Sequence, residues 1–128
     1  MTEPSAEEYA ARKWHERERS KNSHSVVYES SRVVAAGPSW LYGFTVRTSR
    51  TSAQFILLFD QADANFPSSA VPDFPWDIGA APQTLGVSYG ALGRFCERGI
   101  ILANSTTATT LTAGSADCWF DVQYLPAY

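Results

Sequence analysis

The side chains that could carry out chemistry are few and far apart in this sequence. Both histidines, His15 and His24, fall near the start, whereas Cys96 and Cys118 fall in the last third. A nucleophilic pair would need a histidine beside a serine or cysteine, so one histidine would have to fold back over the rest of the chain. A zinc site needs three or four ligands in register, which this spacing does not provide. We therefore expect no catalytic residue, no metal and no cofactor, and interpret both histidines as solvated.

A pair of carboxylates flanks an aromatic residue near the end of the sequence. Asp117 and Asp121 lie on either side of Trp119. On one strand their Cα atoms would be about 13 Å apart, too far for a close catalytic pair, because a strand rises about 3.3 Å per residue. Carboxylates beside an aromatic ring also occur in carbohydrate sites, so a glycan-binding module that uses Trp119 or Trp76 stays an alternative. The simpler interpretation is a polar outer face with one tryptophan at an interface.

Neither the glycines nor the arginines form a phosphate-binding motif. No Gly-x-Gly-x-x-Gly or Gly-Lys-Ser run occurs, so the glycines are interpreted as turn and bulge residues. Arg94 and Arg98 are four positions apart and are predicted to share one face of a strand. They could pair with Asp117 or Asp121 on a neighbouring strand, or with a partner protein, and we favour the structural pair.

Composition and charge limit the class of protein. The 128 residues fit one compact domain, and 45% hydrophobic and 13% aromatic residues allow a substantial core. The net charge of -3 and the isoelectric point near 5.3 argue against binding to nucleic acid or to an anionic membrane, because both require a basic surface. After Lys21 the sequence contains no lysine. So few solubilising charges are expected when other subunits cover much of the surface.

The sequence carries no pattern typical of export. Its start is acidic and polar rather than basic and then apolar, so we expect no signal peptide. No apolar stretch approaches the ~18 residues that span a bilayer. Two cysteines are too few for a disulfide framework. The expected setting is a reducing cytoplasm, with Cys96 and Cys118 as unlinked core thiols that face each other from adjacent strands.

Residues 1–25 are predicted to form a charged helical arm and a hinge. Ser5 and Glu8 have the spacing of a capping box, and Glu8 precedes Arg12 by four residues, a favourable helical pair. An isolated helix of this length is marginal in water, so we expect the arm to be helical where it docks. Residues 22–25 are predicted to be the polar hinge. The predicted contact residues of the arm are Tyr9, Arg12, Lys13, Trp14, Arg17 and Arg19.

Residues 26–128 are predicted to form one all-β domain, a β-sandwich of seven or eight strands that is jelly-roll-like or immunoglobulin-like. Residues 26–34 are rich in β-branched residues and predict the first strand. A turn at residues 37–39 follows, and then apolar and other residues alternate. This period of two predicts a core face made of Trp40, Tyr42, Phe44 and Val46.

The later strands are predicted by the same patterns. Residues 53–60 are apolar on both faces, which indicates a central strand, and residues 71–74 lie among prolines, which indicates an edge strand. Residues 84–89 and 94–103 predict two more strands. In the last strand, one predicted face is core and the other is wet. The core face is Cys118, Phe120, Val122 and Tyr124, and the wet face is Asp117, Trp119, Asp121 and Gln123.

Five segments of the body carry a pattern of small structural proteins of tailed bacteriophages. They are WLYGF at residues 40–44, AQFILLFD at 53–60, YG and GRF at 89–90 and 93–95, GIILANSTT at 99–107, and ADCWFDV at 116–122. Over roughly residues 39–123 the chain resembles the small β-sandwich domains of capsid decoration (cement) proteins and other minor virion proteins. The resemblance implies an all-β fold and brings no catalytic residues. The charged arm is not part of it.

Together these features predict a virion structural protein and not an enzyme. The leading hypothesis is a capsid decoration protein that bridges and stabilises major capsid subunits, on the capsid surface of a particle assembled in the host cytoplasm. The expected partners are the major capsid protein and further copies of this chain, with a trimer favoured. The predicted interface residues of the body are Trp119, Asp121, Arg94 and Arg98. The alternatives are a tail, baseplate or fibre-associated structural protein, or a carbohydrate-binding module for host glycans.

Overall fold

The computed structural model describes residues 5–7, 20–49, 54–63, 72–79 and 83–127. In these residues the chain is all-β, with two antiparallel sheets, as predicted. No helix among them is long and apolar enough to cross a membrane. The strands are β1 (Lys21–His24), β2 (Ser31–Ala35), β3 (Ser39–Thr48), β4 (Gln54–Phe59), β5 (Phe74–Gly79), β6 (Gln83–Ser88), β7 (Arg94–Cys96), β8 (Ile100–Ser105) and β9 (Cys118–Pro126).

The predicted helical arm falls almost entirely outside the described residues. Only Ser5, Ala6 and Glu7 of its helix are described, and Ala6 and Glu7 are helical. The predicted contact residues Tyr9, Arg12, Lys13, Trp14, Arg17 and Arg19 lie outside the described residues. Most of the predicted hinge, residues 22–24, belongs instead to strand β1, which pairs with β9. Among the described residues, the sheets therefore begin at Lys21, before the predicted start of the β domain.

The strands of the first half of the chain pair antiparallel with strands that come later in the sequence. The first sheet has the order β1-β9-β3-β6, with β7 also paired to β3, and the second has the order β2-β8-β4-β5. Each early strand pairs with a late one, β1 with β9, β2 with β8, β3 with β6 and β7, and β4 with β5. β1, β2, β3 and β4 alternate between the two sheets, so the chain changes sheet after each of the first three.

Alternating side chains form the core between the sheets. In β9, Cys118, Phe120 and Val122 are buried while Trp119 is exposed, which confirms the pattern predicted for the last strand. In β4 both faces are buried, as predicted for a central strand. Its residues Ile56 and Leu58 face the first sheet's side chains. The residues on its other face join a second cluster, made of Leu57, Phe59, Ile101 and Ala103, with Phe55 and Leu111 packed against it.

A bulge in β3 overturns the predicted core face of that strand. The pairing of β3 with β9 shifts between Leu41 and Gly43, so Leu41 enters the core together with Phe44. Trp40 therefore lies on the outer face, where its ring is 5.0 Å from that of Phe95. Tyr42 is buried but is not part of the core cluster between the sheets. The prediction that Trp40 and Tyr42 belong to the core face was wrong, because one extra residue reverses the alternation.

The segment predicted as one strand at residues 94–103 is two strands in different sheets. β7 pairs with β3 in the first sheet, and β8 pairs with β2 and β4 in the second. The crossing between them is held by the Asp60 carboxylate, which accepts from the amides of Glu97, Arg98 and Gly99 at 3.0, 2.7 and 3.1 Å. Arg94 and Arg98 therefore do not share a strand face.

Two other strands are displaced from their predicted bounds. Val26, Val27 and Tyr28 form an exposed loop, and the strand predicted at residues 26–34 begins only at Ser31. The predicted edge strand is indeed at the edge of the second sheet, but it is β5 (Phe74–Gly79), later than predicted. Pro75 fits this place because proline has no backbone N–H to donate to a neighbouring strand, and an edge strand has a neighbour on one side only.

Candidate functional site

Both cysteines are free and fully buried, which confirms them as unlinked core residues. Burial raises the pKa of each thiol to about 12, so both are protonated at neutral pH. They do not face each other. Cys96 pairs with Ser39 and Cys118 with Thr48, at opposite ends of β3. At about 3.3 Å per residue those ends are roughly 30 Å apart.

The two carboxylates near Trp119 lie in different surroundings. Asp117 is buried before β9 begins, where the Asn104 side-chain amide donates to its Oδ1 at 2.9 Å. Its predicted place on the wet face was wrong, because it stabilises the loop between β8 and β9 instead. Asp121 is exposed on the outer face of the first sheet, as predicted, and accepts a hydrogen bond from the Asn22 side chain.

The two arginines are separated as well. Arg94 donates to Asp73 at 3.2 Å and lies 5.9 Å from the Tyr89 ring, so its partner is neither Asp117 nor Asp121. Asp73 directly precedes β5, and the pair therefore joins the two sheets at one end of the sandwich. Both side chains are about one-third exposed, so the pair stabilises the fold by about 1 kcal/mol at most. Arg98 is exposed in the bend after β7.

An apolar loop stands exposed at the other end of the sandwich. It consists of Val26, Val27 and Tyr28, with relative exposures of 76%, 63% and 42%. The ring of Tyr28 lies edge-on to Trp119, with the centroids 5.7 Å apart, and Trp119 is itself 37% exposed. Tyr28 and Trp119 are therefore in contact, and the two exposed valines directly precede Tyr28 in the loop.

The apolar loop is fixed at both ends. Before it, the Ser25 amide donates to the carbonyl of Phe120 at 2.8 Å, and the Phe120 amide donates to the Ser25 hydroxyl at 2.9 Å. After it, Glu29 and Cys118 exchange two backbone hydrogen bonds of 2.7 and 3.0 Å. The Glu29 carboxylate also accepts from the Ser25 hydroxyl at 2.8 Å and from Arg32 at 2.9 Å. The exposed valines are thus held in place by the strands beneath them.

A second surface feature is an open concavity of about 390 Å³ on the outer face of the first sheet, which we call the outer trough. Strand register explains its composition, since residues that pair across strands lie side by side. One row runs from Asp121 through Thr45 to Gly86. The residues that line the trough are Asn22, Tyr42, Gly43, Phe44, Thr45, Gly86, Val87, Ser88, Asp121 and Gln123.

Neither surface could be found by the sequence patterns used above. The apolar loop was assigned to a strand because two valines and a tyrosine favour β-structure. The trough depends on register, although Gly43 inside an alternating run was a signal for the bulge beside it. Of the predicted body interface residues, Trp119 and Asp121 share the outer face of the first sheet, whereas Arg94 and Arg98 are elsewhere.

No group of three or more histidine, cysteine or acidic side chains among residues 20–49, 54–63, 72–79 and 83–127 could hold a metal ion. Comparison of the chain with models of known protein families finds no match. Comparison with curated proteins also finds none. The features that bear on function are therefore the apolar loop and the outer trough.

Proposed function

We propose that this protein is a structural component of a bacteriophage particle, most simply a capsid decoration protein that binds across neighbouring major capsid subunits. The observation that carries the proposal is the apolar loop beside Trp119. Single exposed apolar residues are ordinary, but adjacent ones that form a patch are typical of protein-binding surfaces. Here three consecutive exposed apolar residues lie beside an exposed tryptophan, which Tyr28 contacts.

The way the loop is held favours tight docking. Since Ser25 and Glu29 fix both of its ends, little conformational freedom remains to be lost when a partner binds. Tyr28 and Trp119 are the residue types that most often anchor protein interfaces. The partner surface that fits is an apolar groove or pocket on another protein subunit.

The architecture is consistent with a particle protein. The strand orders β1-β9-β3-β6 and β2-β8-β4-β5 correspond to a jelly roll, a sandwich frequent in viral capsid and lectin domains. This is an analogy at the level of the fold and does not by itself assign function. The absence of lysine after Lys21 and the resemblance over residues 39–123 point in the same direction. Further copies of the chain, arranged as a trimer on the capsid surface, complete the proposal.

The first test is Val27→Asp, measured by co-sedimentation with undecorated capsids. Burying a valine side chain stabilises by about 1.5–3 kcal/mol, so its loss should weaken binding by about tenfold or more. Because Val27 is exposed, the thermal midpoint of the free protein should hardly change.

The matched control is Leu92→Asp, the same kind of change at an exposed residue in the turn that follows Tyr89. It should bind capsids like the unmodified protein. Normal binding by Val27→Asp, or equal loss by both variants, would contradict the assignment of the apolar loop. Counting copies of the chain against the major capsid protein in purified particles is the second test. Hundreds of copies support decoration, whereas a few copies indicate a tail or baseplate component instead.

A further inference from the structure

Independently of the apolar loop, we propose that the outer trough binds a short neutral saccharide. The trough combines hydrogen-bonding side chains on four strands, β1, β3, β6 and β9, with open space at Gly86, which has no side chain. Its volume of about 390 Å³ is at the lower end of the ~300–1,000 Å³ that small-ligand pockets usually have. A ligand of one or two sugar units is therefore the appropriate size.

The polar side chains converge because of strand register. Asp121 lies beside Thr45, and in the neighbouring row Gln123 lies between Asn22 and Gly43, with Ser88 beyond it. A carboxylate accepts hydrogen bonds, while side-chain amides and hydroxyls both donate and accept. This mixture matches vicinal hydroxyl groups, which also donate and accept. The single charged group in the lining, Asp121, disfavours an anionic ligand.

Two of these side chains are already held in position. Asn22 donates from its side-chain amide to Asp121, and its Nδ2 also lies 3.3 Å from the carbonyl of Val122. The Oδ1 of Asn22 is 3.0 Å from Nδ1 of His24. This chain of contacts joins β1 to β9 and restricts the rotation of the amide and the carboxylate. Less ordering is then required when a ligand binds.

Gly86 is the observation that points most directly to a ligand. A Cβ atom at this position would meet nothing within 4 Å, and the backbone does not have a positive φ. Neither packing nor conformation therefore requires glycine here, although a glycine inside a strand weakens it. Gly43 differs, because a Cβ there would lie 2.7 Å from the carbonyl oxygen of Val87. The missing side chain at Gly86 leaves space in the trough that a ligand can occupy.

The aromatic rings near the trough offer no open stacking face within it. Tyr42 lines the trough but is at 0% relative exposure, so it forms part of the floor. Trp119, two residues from Asp121 on β9, packs edge-on against Tyr28 instead. The ligand is therefore recognised through hydrogen bonds between its hydroxyl groups and the polar side chains of the lining.

The test uses the full chain and an array of neutral and anionic oligosaccharides, including those of bacterial surfaces. Binding is then measured by titration while the backbone amide resonances are followed. We expect saturable binding of at least one neutral saccharide, with shifts at Gly86, Ser88 and Gln123. The variant Gly86→Thr should weaken that binding by about tenfold or more, because its side chain fills the trough.

Stability distinguishes a blocked site from a damaged fold. Threonine favours strands, so Gly86→Thr should melt at the same temperature as the unmodified protein or higher. Thr84→Val, two residues earlier on the same strand face and outside the lining, is the matched control and should bind normally. The proposal is overturned if no neutral saccharide binds at about 10 mM, if only anionic ones bind, or if Gly86→Thr binds as tightly as the unmodified chain.

Discussion

Burial removes the ordinary chemistry of the two cysteines. Cys96 and Cys118 are both at 0% relative exposure, and burial raises the pKa of each to about 12. An exposed thiol has a pKa of about 8.5. Since the thiolate is the reactive form, neither residue should react with a thiol reagent while the protein is folded.

The same shift makes stability depend on pH. Above about pH 8.5 the unfolded chain loses its thiol protons, whereas the folded chain keeps them until about pH 12. The folded state then binds more protons than the unfolded one, so we predict that the free energy of unfolding falls between pH 8.5 and pH 11. Urea unfolding at several pH values measures this. The double variant Cys96→Ala and Cys118→Ala should lose less stability over that range, and an unchanged pH dependence would contradict the prediction.

Single residues were predictable where their position in a strand was clear. Asp121 was correctly placed on a wet face because the alternation around it is regular. Asp117 was placed wrongly, because it precedes the strand and its carboxylate accepts a hydrogen bond from Asn104, a residue of β8. Such a contact between distant parts of the chain has no local signal.

At the scale of elements, β6 and β7 behave as one interrupted strand. Both pair with β3, β6 along Gly43 to Thr48 and β7 along Ser39 to Leu41. The interruption lies opposite Tyr42, whose carbonyl accepts from the Tyr89 amide at 2.8 Å. The turn that follows therefore covers the Tyr42 ring on the outer face.

Two glycines in this turn allow the cost of backbone strain to be measured separately from the cost of crowding the Tyr42 ring. Gly90 and Gly93 have φ values of 71° and 72°, so alanine at either position is strained by about 1–2 kcal/mol. A Cβ at Gly93 would also lie 2.9 Å from the Tyr42 ring, whereas at Gly90 it would meet nothing within 4 Å. We predict that Gly93→Ala lowers the free energy of urea unfolding more than its matched control, Gly90→Ala. Equal losses would show that the contact with Tyr42 adds nothing.

A strand could be predicted from the sequence when the pattern that specifies it lies within the strand itself. β4 was recognised because its consecutive residues are apolar on both faces, and β9 because apolar and polar residues alternate along it. β1 was missed, since its residues Lys21–His24 are polar and it joins the sheet through backbone pairing with β9. Gly43 and Gly99 mark the bulge and the sheet crossing, and both were available as signals in the sequence.

At the scale of the whole molecule, the sequence predicts the fold class but not which early strand pairs with which late strand. Composition and alternation were sufficient for an all-β sandwich. The register that puts Asn22 beside Gln123 joins residues from nearly opposite ends of the sequence. No local pattern specifies such a neighbour, so the outer trough could only be recognised in the folded chain.

The arm can be tested by truncation, with the cut placed before β1. We predict that removal of residues 1–19 leaves the thermal midpoint nearly unchanged but weakens co-sedimentation with capsids, and that Trp14→Ala has a milder effect of the same kind. Removal of residues 1–24 is the comparison, because it also deletes β1 and exposes the backbone of β9. Loss of the cooperative transition after removal of residues 1–19 alone would show that they pack into the fold.

The place of β9 also has a consequence for the synthesis of the protein. β9 lies between β1 and β3 in the first sheet, so until residues 118–126 have left the ribosome β1 lacks its partner and one edge of β3 stays unpaired, although β6 and β7 can already pair with the other edge. Unpaired strand edges readily join other chains, and folding dominated by distant pairings is slow. Until β9 is made, the unpaired edges of β1 and β3 are therefore exposed to mispairing with nascent chains on neighbouring ribosomes. Slower elongation or crowded polysomes should lower the yield of folded protein without any change in its final stability.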